Sequence, residues 1–162
     1  MILSVDCNKD LVLSYAVFDN ETKRLKTYGI EHLKSYSMPQ LLCEIYDHIG
    51  RLVKEHNVGI VCMKEQDLSR NNKRDLSIES KMIGVISVAT VKTKAFFQQL
   101  QTNGWFLKIT KGKSTYHRKL RLLKNVGIEI KESENLKVDE RVLVDTILVG
   151  EAYVNNKLQI GV

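Results

Sequence analysis

The chain has 162 residues, 43% of them hydrophobic and 27% charged, which is enough for a single domain (1–162) with a real core and ordinary for a globular protein. No apolar run approaches the roughly 18 residues that span a bilayer, and the N-terminus lacks the basic start and small-residue cleavage site of a secretory signal, so a cytoplasmic, unsecreted protein away from membranes is expected. The formal net charge of +6 favours a polyanionic partner without identifying one.

Residues 1–30 read as three strands. Met1-Ile2-Leu3-Ser4-Val5-Asp6 is an apolar run that stops at a carboxylate. Residues 11–19 form a second run, the Asp19-Asn20-Glu21 cluster turns the chain, and residues 24–30 return. The short links predict an antiparallel meander. Ser37-Met38-Pro39-Gln40 opens a helix, with serine at the N-cap, proline in the first turn and Gln40 at the capping-box position. Leu41, Leu42, Ile45, Ile49, Leu52 and Val53 recur at helical spacing, and the helix ends near His56-Asn57.

Val58-Gly59-Ile60-Val61-Cys62-Met63-Lys64-Glu65 is a second apolar run that stops at an acid. Joined to the first sheet through a helix, it is expected to run parallel to strand one, with both strand ends on one edge. Residues 66–75 read as a polar, basic loop, followed by a long helix over 76–101 with Met82, Val85, Ile86, Ala89, Phe96 and Leu100 as its stripe. Asn103-Gly104 stops that helix, and residues 105–109 look like a fifth strand. A short helix over 115–124 and a final helix over 138–153 complete the order β-β-β-α-β-α-β-α-α. Cys7, Cys43 and Cys62 are far apart and form no metal-binding spacing, so they read as reduced thiols.

An ionised acid set against a core costs several kcal/mol, on the order of the penalty for burying a polar group, unless a positive charge meets it. Asp6 and Glu65 each end an apolar strand. Asp145 interrupts the apolar face of the last helix, three residues after Val142 and four before Val149. Singly, each reads as a cap, a turn residue or a lysine's partner. Three converging carboxylates raise one another's pKa and call for a counter-ion. Oxygen-only ligands suit Mg²⁺ or Mn²⁺, and two such ions about 4 Å apart activate a water and stabilise the leaving oxygen of a phosphodiester.

This order of elements, with acids ending strands one and four and another on the last helix, resembles the α/β ribonuclease H-like fold: a central mixed five-stranded sheet flanked by helices. Within it the chain is similar to RuvC-type Holliday junction resolvases, including their phage and viral relatives. The residues carrying the resemblance are Ile2-Leu3-Ser4-Val5-Asp6, Ser14-Tyr15-Ala16-Val17, Val61-Cys62-Met63-Lys64-Glu65, the stretch 112–121, and Asp145-Thr146-Ile147-Leu148-Val149-Gly150-Glu151. The resemblance implies a homodimeric, Mg²⁺- or Mn²⁺-dependent endonuclease that resolves branched DNA. Asp6, Glu65 and Asp145 would hold two ions per active site.

Two features depart from that pattern. The first acid is followed by Cys7-Asn8-Lys9 rather than a glycine-containing turn. Val142 stands where a second acid is expected on the last helix, which leaves Asp139 or Glu140 as the alternative fourth ligand.

Basic residues crowd one segment: Lys108, Lys111, Lys113, Arg118, Lys119, Arg121 and Lys124. Such a run also suits a solvated helix. The resemblance places a lysine-containing stretch of this region near the scissile phosphate. It implies catalytic roles for Lys113 and Lys119, with Lys111 and Arg118 joining them on the DNA backbone. Arg70, Lys73 and Arg74 follow Glu65 closely, where a basic loop would hold DNA. His32, His48, His56 and His117 are scattered and read as ordinary residues. The long helix, with Phe96-Phe97, is the expected dimer surface. Two other readings stay open: a ribonuclease H-like nuclease acting on RNA or RNA–DNA hybrids, and a non-catalytic branched-DNA-binding protein on the same fold. An actin-like ATP-binding module lacks its glycine-rich phosphate loops here.

Overall fold

The computed structural model describes residues 1–8, 11–35, 37–65, 73–100, 116–125, 127 and 138–155. Three antiparallel strands open the chain: β1 (Ile2–Cys7), β2 (Val12–Phe18) and β3 (Leu25–His32). Helix α1 (Met38–Glu55) leads to β4 (Ile60–Lys64), which lies parallel to β1. Helix α2 (Lys73–Lys92) then leads to β5 (Phe96–Leu100), parallel to β4. Two further helices are α3 (Tyr116–Asn125) and α4 (Val138–Val154). The sheet runs β3-β2-β1-β4-β5, so β1 is central.

Strand alternation divides the core into two. Leu3, Val5, Cys7, Leu13, Val17, Val61 and Met63 face α1 and α2, where they meet Ile45, Ile49, Met82 and Ile86. On the other face, Ile2, Ala16, Phe18 and Cys62 pack against α3 and α4, through Leu123, Val144, Ile147 and Leu148. Two small-residue contacts shape the sheet. Tyr15 covers Gly29 on the neighbouring strand, where an added Cβ would lie 2.7 Å from the Tyr15 hydroxyl oxygen. Asp19 closes the β2–β3 turn by accepting hydrogen bonds from the backbone N–H groups of Glu21 (3.0 Å) and Thr22 (2.8 Å).

The meander, the parallel β4 and the last two helices lie where the sequence predicts them. Three expectations are corrected. The predicted helix over 76–101 begins three residues earlier, at Lys73, so Lys73 and Arg74 lie in a helical first turn rather than a loop. It ends at Lys92, and the fifth described strand is Phe96–Leu100, so Phe96 and Phe97 are strand residues. The expected strand at 105–109 lies outside the described residues. Finally, Ser37 takes the N-cap of α1 without a side-chain bond to the backbone. Its hydroxyl donates instead to Gln40 Oε1 at 2.7 Å, a side-chain pairing that makes neither backbone bond of the expected capping box.

Helix α2 ends without glycine. Lys94 takes a left-handed backbone (φ 63°). The N–H of Ala95 bonds to the Thr90 carbonyl (3.1 Å) and that of Lys94 to the Val91 carbonyl (3.0 Å), the two bonds of a Schellman cap. The apolar pattern runs on past this point, which is why the helix reads as longer than it is.

Candidate active site

Asp6 is the fifth residue of β1 and shares the α4 face with Ile2 and Ser4. The β1–β4 register runs from Ile2↔Ile60 to Val5↔Met63. Continued by one residue, it sets Asp6 beside Lys64, which is partly buried. Helix α4 crosses the same face over β2, β1 and β4.

A buried set of hydroxyls fixes that crossing. Ser4 Oγ donates to the Thr146 carbonyl (2.7 Å), Ser14 Oγ and Thr146 Oγ1 lie 2.5 Å apart, and Thr146 Oγ1 donates to the Val142 carbonyl (2.9 Å). One turn further on, Gly150 lets the helix backbone meet the sheet: an added Cβ would lie 2.2 Å from Phe18 and 2.9 Å from Ser4 Cβ. Small residues on both sides therefore seat α4 directly on β1, and Asp145, adjacent to Thr146, arrives within electrostatic reach of Asp6.

The Asp6 carboxyl is pushed up to about 6. Removal from water is the largest cause. Lys64 opposes it, the charge of Asp145 adds to it, the Cys7 N–H opposes it, and Glu79 adds to it. Asp145 has a cation of its own. Lys119 of α3 places Nζ 2.6 Å from Asp145 Oδ1, with the two side chains only 17% and 21% exposed. Leu120 and Leu123 bury the neighbouring face of α3 in the core beneath α4, which holds Lys119 in place.

Glu65 lies one residue beyond β4 at the same sheet edge and is exposed; its N–H bonds to the Leu100 carbonyl (2.8 Å). Strand alternation explains its separation, because the register carried one residue past Val5↔Met63 brings Lys64, and not Glu65, opposite Asp6. Among the described residues, no three His, Cys, Asp or Glu side chains gather closely enough to hold one ion together. The donor chemistry suits a hard divalent cation: a desolvated carboxyl, a second carboxylate within its field, and a third at the adjoining strand end. The third donor is not drawn in.

Of the basic candidates, Lys119 meets the acids. Lys73 and Arg74 are exposed in the first turn of α2, which the parallel β4–α2–β5 connection sets at the Asp6 edge. Arg70, Lys111 and Lys113 lie outside the described residues, as do the side chains of Arg118, Asp139 and Glu140. Val142 is partly buried in α4.

Two members of the site have no counterpart among the sequence candidates. Lys64 directly precedes an acid at a strand end, where lysine ordinarily means solvent. Glu79 stands three residues before Met82 and seven before Ile86, on the α2 face that packs toward β1. That spacing is visible in the sequence, but its bearing on Asp6 is not.

No family model matches the chain, and no curated protein matches it by sequence. Solved structures do match. RuvC of Thermus thermophilus, solved with a Holliday junction, aligns over 96% of this chain and 94% of its own (TM-score 0.72, 13% identity). The yeast mitochondrial Holliday junction resolvase Ydc2 aligns over 94% and 77% (TM-score 0.71, 11% identity). The fowlpox virus resolvase, solved with Holliday junction DNA, aligns over 98% and 99% (TM-score 0.59, 16% identity). Sheet order, helix placement and alignments over at least 94% of this chain together give it the ribonuclease H-like fold in the arrangement of the RuvC-type Holliday junction resolvases.

Proposed function

We propose that this protein is a structure-selective DNA endonuclease that resolves Holliday junctions and related branched DNA with divalent metal ions. One observation carries the reading: Asp6 of the central strand and Asp145 of the helix crossing it come together in a chain that aligns end to end with two resolvases solved with junction DNA.

In this reading Asp6, Glu65 and Asp145 hold the ions, and Glu65 turns inward from the sheet edge to do so. A bound pair of Mg²⁺ or Mn²⁺ ions supplies activation of the attacking water and stabilisation of the departing 3′-oxygen. The protein's own groups do the rest. Small residues beneath α4 keep Asp145 against β1. Lys119 and Lys113 offset charge that builds on the scissile phosphate. Arg70, Lys73, Arg74, Lys111 and Arg118 hold the backbone and confer salt-dependent affinity. Two copies acting about a two-fold axis would cut the two symmetric strands of a junction.

Asp6→Asn should abolish cleavage of a synthetic four-way junction in Mg²⁺ while gel-shift affinity for that junction survives. Full cleavage by the variant would rule the site out. A second reading is favoured by Lys119 standing on Asp145 and by Val142 in place of an acid: a branched-DNA-binding protein without catalysis. Tight junction binding by the wild type, with no incision in Mg²⁺ or Mn²⁺, would select it.

A further inference from the structure

Each of the two close carboxylates comes with a lysine. Lys64 lies beside Asp6 and lowers the cost of its charge. Lys119 Nζ sits 2.6 Å from Asp145 Oδ1. This second pair is short, mostly covered, and fixed from both sides. Leu120 and Leu123 anchor α3, and the Ser4–Ser14–Thr146 hydroxyls anchor α4. An ammonium so placed occupies a lone pair of Oδ1 and puts a positive charge where a metal ion would bind, so the two cations repel each other across this one carboxylate. The lysine stem is long and flexible, so the ammonium can leave Oδ1 without any backbone movement.

We propose that Lys119 is a positioning residue that serves as the resident counter-cation of the site: it neutralises Asp145 in the metal-free protein and is displaced from Oδ1 when a divalent ion binds, so that it sets the affinity for the ion. The inference rests on the reading of Asp6, Glu65 and Asp145 as ion ligands and adds a role that precedes chemistry. It accounts for a fold that brings two acids together before any ion arrives. It also accounts for the missing acid at Val142, because one cation already balances Asp145.

The test is a calorimetric titration of the full-length protein with Mg²⁺, without DNA. Lys119→Met is expected to lower the Kd for Mg²⁺ about tenfold, the loss of one partly covered charge competitor. Lys119→Arg, which keeps the competing cation, is expected to return the Kd toward the wild-type value. A purely structural ion pair predicts the reverse, with Lys119→Met less stable and its Kd unchanged or higher; that result overturns the proposal. Absence of Mg²⁺ binding in wild type and Lys119→Met alike overturns the metal-centre reading and the inference with it, whereas equal, measurable affinities overturn the inference alone. Should Lys119→Met fail to fold, the wild type carries the test. After reductive ¹³C-methylation of lysines, the Lys119 resonance must shift with Mg²⁺ along the binding isotherm, and a resonance that stays fixed at saturation overturns the proposal.

Discussion

Asp6 is held in the fold against its own charge, because burial moves its carboxyl up to about 6 from a usual value near 4. The folded protein therefore binds this proton more tightly than the unfolded chain. The stability linked to that proton is fully present below about pH 4 and is lost as the pH rises through about 6. The shift corresponds to about 3 kcal/mol at most. Asp6→Asn, which carries no titrating charge, should gain up to that amount over wild type in urea unfolding at pH 8 with EDTA, and nothing at pH 4. A difference that stays flat between the two pH values would contradict the burial argument. Saturating Mg²⁺ at pH 8 should close the gap, since an ion on Asp6 replaces the missing water. At this scale the sequence shows Asp6 and Asp145 plainly, because each breaks an apolar pattern. It does not show Lys64, because only the β1–β4 register turns an ordinary strand-end lysine into the neighbour of Asp6 and sets Glu65 one residue out of step.

The elements follow from local patterning wherever the chain marks its own ends. β1 to β3, α1 and β4 are bounded by turn and cap residues and lie where the pattern predicts. The boundary between α2 and β5 falls at Thr93-Lys94-Ala95, with neither glycine nor proline to announce it, and the predicted helix runs through it. A lysine in the left-handed region pays a steric cost that glycine avoids. Lys94→Gly should therefore stabilise the protein by about 0.5–1 kcal/mol, read as a higher urea midpoint at constant m-value; a lower midpoint would mean that the Lys94 side chain makes a contact worth more than the strain. Gly150 presents the opposite case. A methyl group there would run into Phe18 and Ser4, and α4 would have to lift from β1. Gly150→Ala should cost about 1–3 kcal/mol. It should also weaken junction cleavage beyond what the stability loss explains, because Asp145 rides on the displaced helix. Cleavage at full rate by a folded Gly150→Ala protein would show that the seating of α4 does not matter to the site.

At the scale of the whole molecule, the outer face of α2 is the surface left to explain. Its inner stripe, Met82, Ile86 and Ala89, is buried, while Val88 and Val91 are 61% and 63% exposed, and Phe96 on the following strand is 78% exposed. Val88 and Val91 stand one turn apart on the same exposed face of α2, which makes that face the candidate for a surface covered by another molecule. Gly84, one turn before Val88, has open space around it, so a second helix could approach closely there. A helix that packs on its own copy across a two-fold axis presents the same residues twice, which would suit the proposed incision at two symmetric strands. Placing like charges on that axis is therefore a direct test. If the proposed dimer forms through this face, Val88→Glu combined with Val91→Glu should move the protein from dimer to monomer in sedimentation velocity with its far-ultraviolet dichroism unchanged, since neither side chain belongs to the core. On a cruciform plasmid the proposed activity should give linear DNA with the wild type and nicked circles with the monomer, because coordinated cutting of both strands needs both copies on one junction. A variant that stays dimeric, or a monomer that still linearises the plasmid, would place the partner surface elsewhere and leave the exposed stripe of α2 for a different occupant.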